Sequence, residues 1–208
     1  MTMRLLGFQA SHNVQKVLWA CGELGLDYAW EDWAGPNKNA HLAEFTALNP
    51  NSRVPVIVED DGTVLWESHS ITRYLCARHA KGTLWPADDA ARARAERWMD
   101  WQLGTVAPAM APVYNNLIRT APADRNQAVI DTGRTRLIEL FSILDRYLGE
   151  SDYVGGDEFT MGDIPIGIST WRWFTMPLDR PDLPNVARWF EALKQRPAYR
   201  EHIMKDLA

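Results

Sequence analysis

The sequence has little cysteine, no surplus of positive charge and no long hydrophobic run. Its 208 residues include 2 cysteines, and 22 lysines and arginines stand against 27 aspartates and glutamates, for a formal net charge of −5. Two cysteines cannot build a disulfide framework or a zinc cluster, and an acidic balance argues against nucleic-acid binding. No apolar run approaches the ~18 residues of a membrane span, and the first residues lack a signal-peptide pattern. We expect a cytoplasmic protein that binds neither nucleic acid nor membrane, with Cys21 and Cys76 as packed, reduced thiols.

The composition is that of a globular protein, at 46 % hydrophobic residues, and its pattern changes near residue 80. Residues 1–80 predict the order β-α-β-α-β-β-α, with a helix that ends at Gly25. Because the first three strands alternate with helices, we expect them to pair in parallel, and Asp60-Asp61-Gly62 predicts a hairpin between the last two. The result is an α/β domain with a four-stranded mixed sheet and three helices. The predicted strands are 3–8, 28–31, 54–58 and 63–66, and two of the predicted helices are 41–48 and 68–79.

Residues 89–208 show helical periodicity only, which predicts an all-α domain after a linker at 81–88. Prolines at Ala107-Pro108 and Ala111-Pro112 are expected to bend one long helical stretch over 90–120. Thr160-Met161-Gly162-Asp163 has the spacing of a helix capping box, with Asp in the usual place of Glu. The ten tryptophans are expected to form aromatic core. Further helices are predicted at 125–148, 164–174 and 184–195.

Polar side chains stand at the turn between the first strand and the first helix of the α/β domain. Ser11 and Asn13 precede or open that helix, where ligands bind in α/β sheets and where anions are favoured. A hydroxyl there can donate a hydrogen bond to a thiolate. The alternative is that Ser11 or Asn13 is simply a helix cap.

Three further polar segments belong to the same domain. Arg53-Val54-Pro55 precedes a strand, and a cis proline there would turn the Val54 backbone outward; an ordinary trans proline is the alternative. Glu67-Ser68 opens a helix and suits an ammonium and a carboxylate together, or else serves only as a cap. Lys38, Asn39 and His41 are candidates for a second carboxylate, or are solvated surface residues. The sequence has no metal-ligand spacing and no phosphate-binding loop.

Taken together, these segments resemble the cytosolic glutathione transferase superfamily, in its bacterial, theta- and phi-like serine types. The resemblance covers almost the whole chain. It rests on the runs Ser11-x-Asn13-Val14-x-Lys16-Val17, Asn49-Pro50-Asn51-Ser52-Arg53-Val54-Pro55, Trp66-Glu67-Ser68-His69-Ser70-Ile71-x-Arg73-Tyr74-Leu75 and Phe159-Thr160-Met161-Gly162-Asp163-Ile164.

The resemblance implies a thioredoxin-like domain that binds glutathione as co-substrate. Ser11 would donate to the glutathione sulfur, helped by Asn13, and Asp100 would reach the glutathione of a neighbouring subunit. Arg53 stands where many members have Gln. The other implied contacts are the Val54 backbone with the cysteinyl part, Pro55 as the cis proline, Glu67 and Ser68 with the γ-glutamyl end, and Lys38 or His41 with the glycyl carboxylate.

The resemblance also implies that the all-α domain builds a pocket for a small hydrophobic electrophile and that the protein is a homodimer without a metal. The candidate pocket residues are Ala107, Met110, Tyr114 and Trp171. Serine at position 11, where some classes have cysteine, favours thiolate addition or substitution over disulfide exchange. The alternatives are a non-catalytic interaction module of the same fold, or a specialised glutathione-dependent isomerase, dehalogenase, ether-cleaving enzyme or peroxidase.

Overall fold

The computed structural model describes residues 2–207, and the chain divides between Lys81 and Gly82 into two compact units. The first unit is a four-stranded sheet with helices, and the second is built of helices. None of the helices in the described residues is long and apolar enough to cross a membrane. The first unit contains β1 (Arg4–Gly7), α1 (His12–Leu24), β2 (Ala29–Asp32), a 3-10 turn (Gly35–Asn37), α2 (Ala43–Thr46), β3 (Val56–Val58), β4 (Val64–Trp66) and α3 (Ser68–His79).

The sheet has the strand order β2-β1-β3-β4 and is mixed, as predicted. β1 pairs with β2 in parallel, whereas β1 with β3 and β3 with β4 pair antiparallel. The prediction that the first three strands all run parallel is therefore wrong for β3. A parallel crossover needs a helix long enough to carry the chain back along the sheet. The four residues of α2 span only about 6 Å. The chain therefore does not travel back along the sheet between β2 and β3, and β3 starts at the end of the sheet where β2 stops.

Both faces of the sheet are buried. Alternate residues of β1 point to opposite faces, and Leu5 and Leu6 are each fully buried, in two different clusters. Leu5 packs in a cluster with residues of α1 and α3, and Leu6 packs in one with Phe45 of α2. The helix α1 ends as predicted at Gly25, whose left-handed φ of 63° lets its N–H donate back to the last turn.

The second unit follows a helical path whose first part is interrupted twice. Its elements are α4 (Asp89–Trp101), α5 (Ala107–Tyr114), α6 (Gln127–Leu148), α7 (Asp163–Thr175), α8 (Pro184–Lys194) and α9 (Pro197–His202), with a 3-10 turn at Pro122–Asp124. Wider π-helical turns follow α4 at Gln102–Val106 and α5 at Asn115–Arg119. Pro108 has no N–H to continue the α-helical ladder, and the first π turn lies directly before it. The predicted helical stretch over 90–120 is thus two α-helices, each followed by a π-helical turn. Helix α9 was not predicted.

Asp163 organises the second unit as a buried carboxylate with four hydrogen bonds. Its Oδ1 accepts from the N–H of Val154 at 3.0 Å and from the indole of Trp189 at 3.0 Å. Its Oδ2 accepts from the N–H and the hydroxyl of Thr160 at 2.9 and 3.3 Å. The predicted capping box is formed in part: Asp163 accepts from the N–H of Thr160, whereas the Thr160 hydroxyl accepts from the N–H of Gly162 at 3.3 Å and the helix starts only at Asp163. Burial raises the pKa of Asp163 to about 6, although the hydrogen bonds lower it.

The prediction that the ten tryptophans form core is correct for Trp19, Trp98, Trp173 and Trp189, whereas five others are only partly buried. Trp173 stacks on Phe141 at 4.8 Å between ring centroids, and Trp19, Trp173 and Trp189 are fully buried. Trp66 is an exception, at 39 % exposure. Aromatic burial of this kind contributes much of the hydrophobic stabilisation of a small unit.

Asp163→Asn should destabilise the protein by about 2–5 kcal/mol at neutral pH, because an amide replaces one acceptor oxygen and leaves buried donors unsatisfied. Urea unfolding measures this, with the exposed neighbour variant Asp157→Asn as a control expected within about 0.5 kcal/mol of wild type. Since the folded pKa of Asp163 lies above its ordinary value, the part of its contribution that depends on protonation is largest below about pH 4 and is lost as the pH rises through about 6. The difference in free energy of unfolding between wild type and Asp163→Asn should therefore decrease from about pH 4 to about pH 6. A difference that increases over this range would contradict this account.

Candidate functional site

Several predicted site segments emerge at one end of the sheet. The register places Leu6 beside Val56 and Val56 beside Trp66. Because β3 is antiparallel to both neighbours, its start lies between the last residues of β1 and β4. β2 runs parallel to β1 and ends on the same side. The segments that leave this end are therefore 8–11, 33–42, 54–55 and 67–68.

Ser11 lies at the start of α1. Its carbonyl accepts from the N–H of Gln15 at 2.9 Å, and its N–H donates to the carbonyl of Phe8 at 2.9 Å. The backbone is thus that of a cap residue, yet the side chain makes no capping hydrogen bond. Within residues 2–207 the half-buried hydroxyl of Ser11 donates to no protein acceptor. The interpretation of Ser11 as a simple side-chain cap is therefore not supported, and its hydroxyl stays available to a ligand.

Asn13 is held by a buried lysine. The Nζ of Lys16 donates to Oδ1 of Asn13 at 3.0 Å, and Lys16 is only 1 % exposed. Since this contact uses the amide oxygen, the NH₂ group of the exposed Asn13 is left to face elsewhere. The first turns of α1 therefore combine a neutral hydroxyl, an amide whose orientation is fixed and a buried amine.

The Val54–Pro55 peptide bond is cis, as the resemblance implies. Within the described residues, the N–H and carbonyl of Val54 take part in no hydrogen bond with the protein. The preceding loop is fixed by Asn49, which is buried and donates to the carbonyl of Arg53 at 2.7 Å while accepting from the N–H of Asn51 at 3.0 Å. The loop thus presents a backbone donor and acceptor suited to an extended peptide.

Glu67 adopts a backbone conformation that is uncommon for a residue with a side chain, at φ 71° and ψ 111°. Such conformations cost about 1–3 kcal/mol and cluster at functional sites. The Glu67 carboxylate is exposed and makes no capping bond, and Ser68, the first residue of α3, is 3 % exposed. The strained turn places an acid directly beside the N–H groups of a helix start, which favour an anion.

The remaining predicted residues of the first unit are on the surface. Lys38, His41 and Arg53 are exposed. Asn39 has a structural part, because its side chain accepts from the N–H of Ala34 at 2.7 Å and donates to the carbonyl of Asp32 at 3.3 Å. It therefore fixes the segment that carries Lys38 and His41.

The predicted residues of the second unit fall into separate groups. Asp100 is exposed on α4. Ala107, Met110 and Tyr114 recur at spacings of three and four, so they share one face of α5. Trp171 belongs to different surroundings: its indole donates to the carbonyl of Lys205 at 3.1 Å, and its ring lies 6.3 Å from that of Phe190.

The α7 residue that faces Tyr114 is Arg172, whose Cζ lies 4.2 Å from the centroid of the Tyr114 ring. The sequence analysis missed Arg172, Lys16 and Asn49. Charged and amide residues of these types are mostly solvated, and their spacing carries no signal of the contacts that bury them.

The cysteines are packed thiols, as predicted. Cys21 and Cys76 are both free and buried, and burial raises the pKa of each to about 12. Neither thiol is ionised near neutral pH, so neither is suited to act as a nucleophile. Across residues 2–207, no group of three or more His, Cys, Asp or Glu side chains is arranged to hold a metal ion.

Comparisons with known proteins agree with this arrangement. Residues 10–78 match the family model for the glutathione S-transferase N-terminal domain, and residues 127–192 match that for the C-terminal domain. Glutathione S-transferase GstB of Escherichia coli strain K12 is 40 % identical over 202 residues, covering 96 % of this chain and 97 % of its own length. Glutathione S-transferase 3 of Zea mays is 31 % identical, covering 97 % of this chain and 93 % of its own length.

Among solved structures, the theta class glutathione S-transferase from the citrus canker pathogen Xanthomonas axonopodis pv. citri, with glutathione bound, superimposes with a TM-score of 0.95. It is 38 % identical, and the match covers 100 % of this chain and 99 % of that one. A delta-class glutathione transferase of Nilaparvata lugens matches with a TM-score of 0.86 at 26 % identity, over 97 % of this chain and 93 % of that one. This chain therefore belongs to the glutathione S-transferase family.

Proposed function

We propose that this transferase binds glutathione at the common end of the sheet and that the Ser11 hydroxyl keeps the bound sulfur ionised. The observation that carries this proposal is the half-buried hydroxyl at the start of α1, which is in the position of a helix cap without acting as one. The relative with glutathione bound supports the choice of ligand. The electrophile, the dimer and the cytoplasmic location are parts of the same proposal.

A hydrogen bond from the Ser11 hydroxyl can supply the free energy needed to ionise the bound thiol near neutral pH. A free thiol has a pKa of about 8.5, so lowering it to about 6.5 requires roughly 2.7 kcal/mol of preference for the anion. A charge-assisted hydrogen bond from a hydroxyl supplies about 1.5–3 kcal/mol, and the start of a helix adds about 0.3–1 kcal/mol. The amide of Asn13, held through its oxygen by Lys16, supplies a second donor.

The ionised sulfur then acts as the nucleophile. In a substitution its electron pair forms the C–S bond while the leaving group departs with the electrons of the bond that breaks. In an addition the C–S bond forms as the π bond of the electrophile breaks, and the adjacent carbon takes up a proton from solvent. Ser11 keeps its own proton throughout, and no covalent bond to the protein forms.

The rest of glutathione matches the other segments by charge and shape. The γ-glutamyl ammonium pairs with Glu67 and its carboxylate with Ser68 and the first N–H groups of α3. The cysteinyl backbone pairs with Val54, next to the cis Pro55. Lys38, His41 and the exposed Arg53 are the side chains that contact the glycyl carboxylate in this proposal.

The second unit supplies the remaining components. The face of α5 that carries Ala107, Met110 and Tyr114 contacts the electrophile. Trp171, whose indole donates to the carbonyl of Lys205, is not part of this face. In the proposed homodimer, Asp100 reaches the γ-glutamyl ammonium bound by the partner.

Ser11→Ala should preserve glutathione binding while raising the apparent pKa of the bound thiol by roughly one to two pH units, because the charge-assisted hydrogen bond is lost. The rate should therefore fall by about 10-fold or more near pH 6.5 and recover towards pH 9. The pH profile of kcat/KM measures this, together with the ultraviolet absorbance of the bound thiolate.

Ser70→Ala is the matched control, since Ser70 is an exposed serine of α3 and should leave the profile unchanged. A Ser11→Ala enzyme with the wild-type pH profile would remove the proposed role of the hydroxyl.

Glu67→Gly and Glu67→Gln should separate backbone strain from charge. Glycine relieves the positive φ, so Glu67→Gly should match or exceed wild type in stability by up to about 1–2 kcal/mol, whereas Glu67→Gln should leave stability unchanged. Both should raise the KM for glutathione by about 10-fold, with a smaller effect on kcat. Thermal unfolding and steady-state kinetics test the pair; unaltered KM in both variants would exclude Glu67 from glutathione binding.

A further inference from the structure

Arg172 is a half-buried cation without an anionic partner. Its guanidinium lies over the Tyr114 ring at 4.2 Å. Within residues 2–207, none of its N–H groups donates to a protein acceptor and no carboxylate forms an ion pair with it. The groups that act on it electrostatically are Tyr114 and Arg119, and neither is a carboxylate.

Other arginines of this unit are placed differently. They reach backbone carbonyls or carboxylates: Arg125 donates to Leu117, Arg180 to Met176, and Arg188 to Leu148 and Asp152. A guanidinium carries five donors, and a charge withdrawn from water without a hydrogen-bonded partner is costly. The contact of Arg172 with the face of the Tyr114 ring compensates for part of this cost. It leaves the N–H donors of the guanidinium without acceptors.

A second guanidinium increases the positive charge at the same ring. Arg119 belongs to the π turn that follows α5, and its Cζ lies 5.3 Å from the Tyr114 centroid. Burial lowers the pKa of Arg172, Tyr114 raises it and Arg119 lowers it, and the net result is a pKa of about 10. Arg172 therefore stays protonated near neutral pH. Arg119 is exposed, so an anion can approach the pair from solvent.

We infer that the electrophile carries an anionic group, of which a carboxylate is the simplest, and that Arg172 binds this group beside the Tyr114 ring. The inference rests on the proposed function, because Tyr114 belongs to the α5 face assigned to the electrophile. The apolar part of the substrate lies on that face, next to Met110 and Ala107. Arg172 and Arg119 thus determine substrate specificity, and they hold no proton that the reaction uses.

A pair of electrophiles of the same shape tests the inference: para-chloro-meta-nitrobenzoate, which is an anion, and its neutral amide. In both, the thiolate forms a C–S bond at the carbon that bears chlorine, the ring takes up the electron pair, and chloride leaves with the electrons of the C–Cl bond. The thiol proton passes to solvent and the carboxylate or amide is unchanged. Each enzymatic rate is divided by the uncatalysed rate of the same compound.

Wild type should show a KM for the benzoate on the order of 10-fold below that for the amide, because a charge-assisted, two-point hydrogen bond is formed only with the anion. Arg172→Gln should raise the KM for the benzoate about 10-fold and change that for the amide less than 2-fold. Arg172→Lys should retain part of the preference for the benzoate, because lysine keeps the positive charge but cannot form the two parallel hydrogen bonds of a guanidinium.

Arg136→Gln is the matched control, because Arg136 is an exposed arginine of α6 paired with Glu139. It should leave both KM values unchanged. Arg119→Gln provides a second variant at an exposed position and should reduce the preference for the benzoate by a smaller factor.

The outcomes distinguish this inference from the proposed function. Equal KM values for the two compounds in wild type, with turnover intact, would overturn the role of Arg172 and leave thiolate activation by Ser11 standing. If neither compound is turned over, calorimetric titration with unreactive meta-nitrobenzoate and meta-nitrobenzamide decides the matter. Tighter binding of the benzoate that Arg172→Gln abolishes supports the anion site, and equal binding overturns it.

Discussion

The helical unit depends on a single buried carboxylate. A charge without water is tolerated only when donors replace its hydration, and Asp163 receives four of them, from a loop, a helix start and the indole of Trp189. Because those donors belong to segments far apart in sequence, the carboxylate joins α7 and α8 to the loop before them. The packing of α5 against α7, and with it the contact of Arg172 with Tyr114, follows from where α7 begins.

The proposed glutathione site depends on one reversal of chain direction. β3 is antiparallel to β1, so the loop that ends in Val54 and Pro55 reaches the same end of the sheet as Ser11 and Glu67. If β3 ran parallel to β1, the cis proline would lie at the opposite end of the sheet, remote from the start of α1. The short α2 is therefore of functional importance, because a longer helix in its place would favour the parallel crossover.

The helices could be predicted from the sequence because their signals are local. The predicted bounds of α3 match those of the structure, and Gly25 ends α1 as its backbone freedom predicts. The direction of β3 could not be predicted from alternation alone, because local periodicity does not record which neighbour a strand pairs with. Ser11 was identifiable from its place at a turn. Lys16 and Arg172 were not, since a charged residue in a helix is ordinarily solvated and the groups that bury these two come from tertiary packing.

The protein uses hydrogen-bond donors in two opposite ways. Around Asp163 every donor has its anion within the protein, and the result is rigidity. At Ser11, at Val54 and at Arg172 the fold positions donors that have no acceptor within residues 2–207, and in the proposed function the ligand supplies that acceptor. Donors that folding has already oriented need no reorganisation when a ligand binds. A bound thiolate or carboxylate is therefore stabilised by donors that are already in position. The strained backbone of Glu67 fits the same interpretation, since a conformation that lowers stability persists where it orients a group towards a substrate.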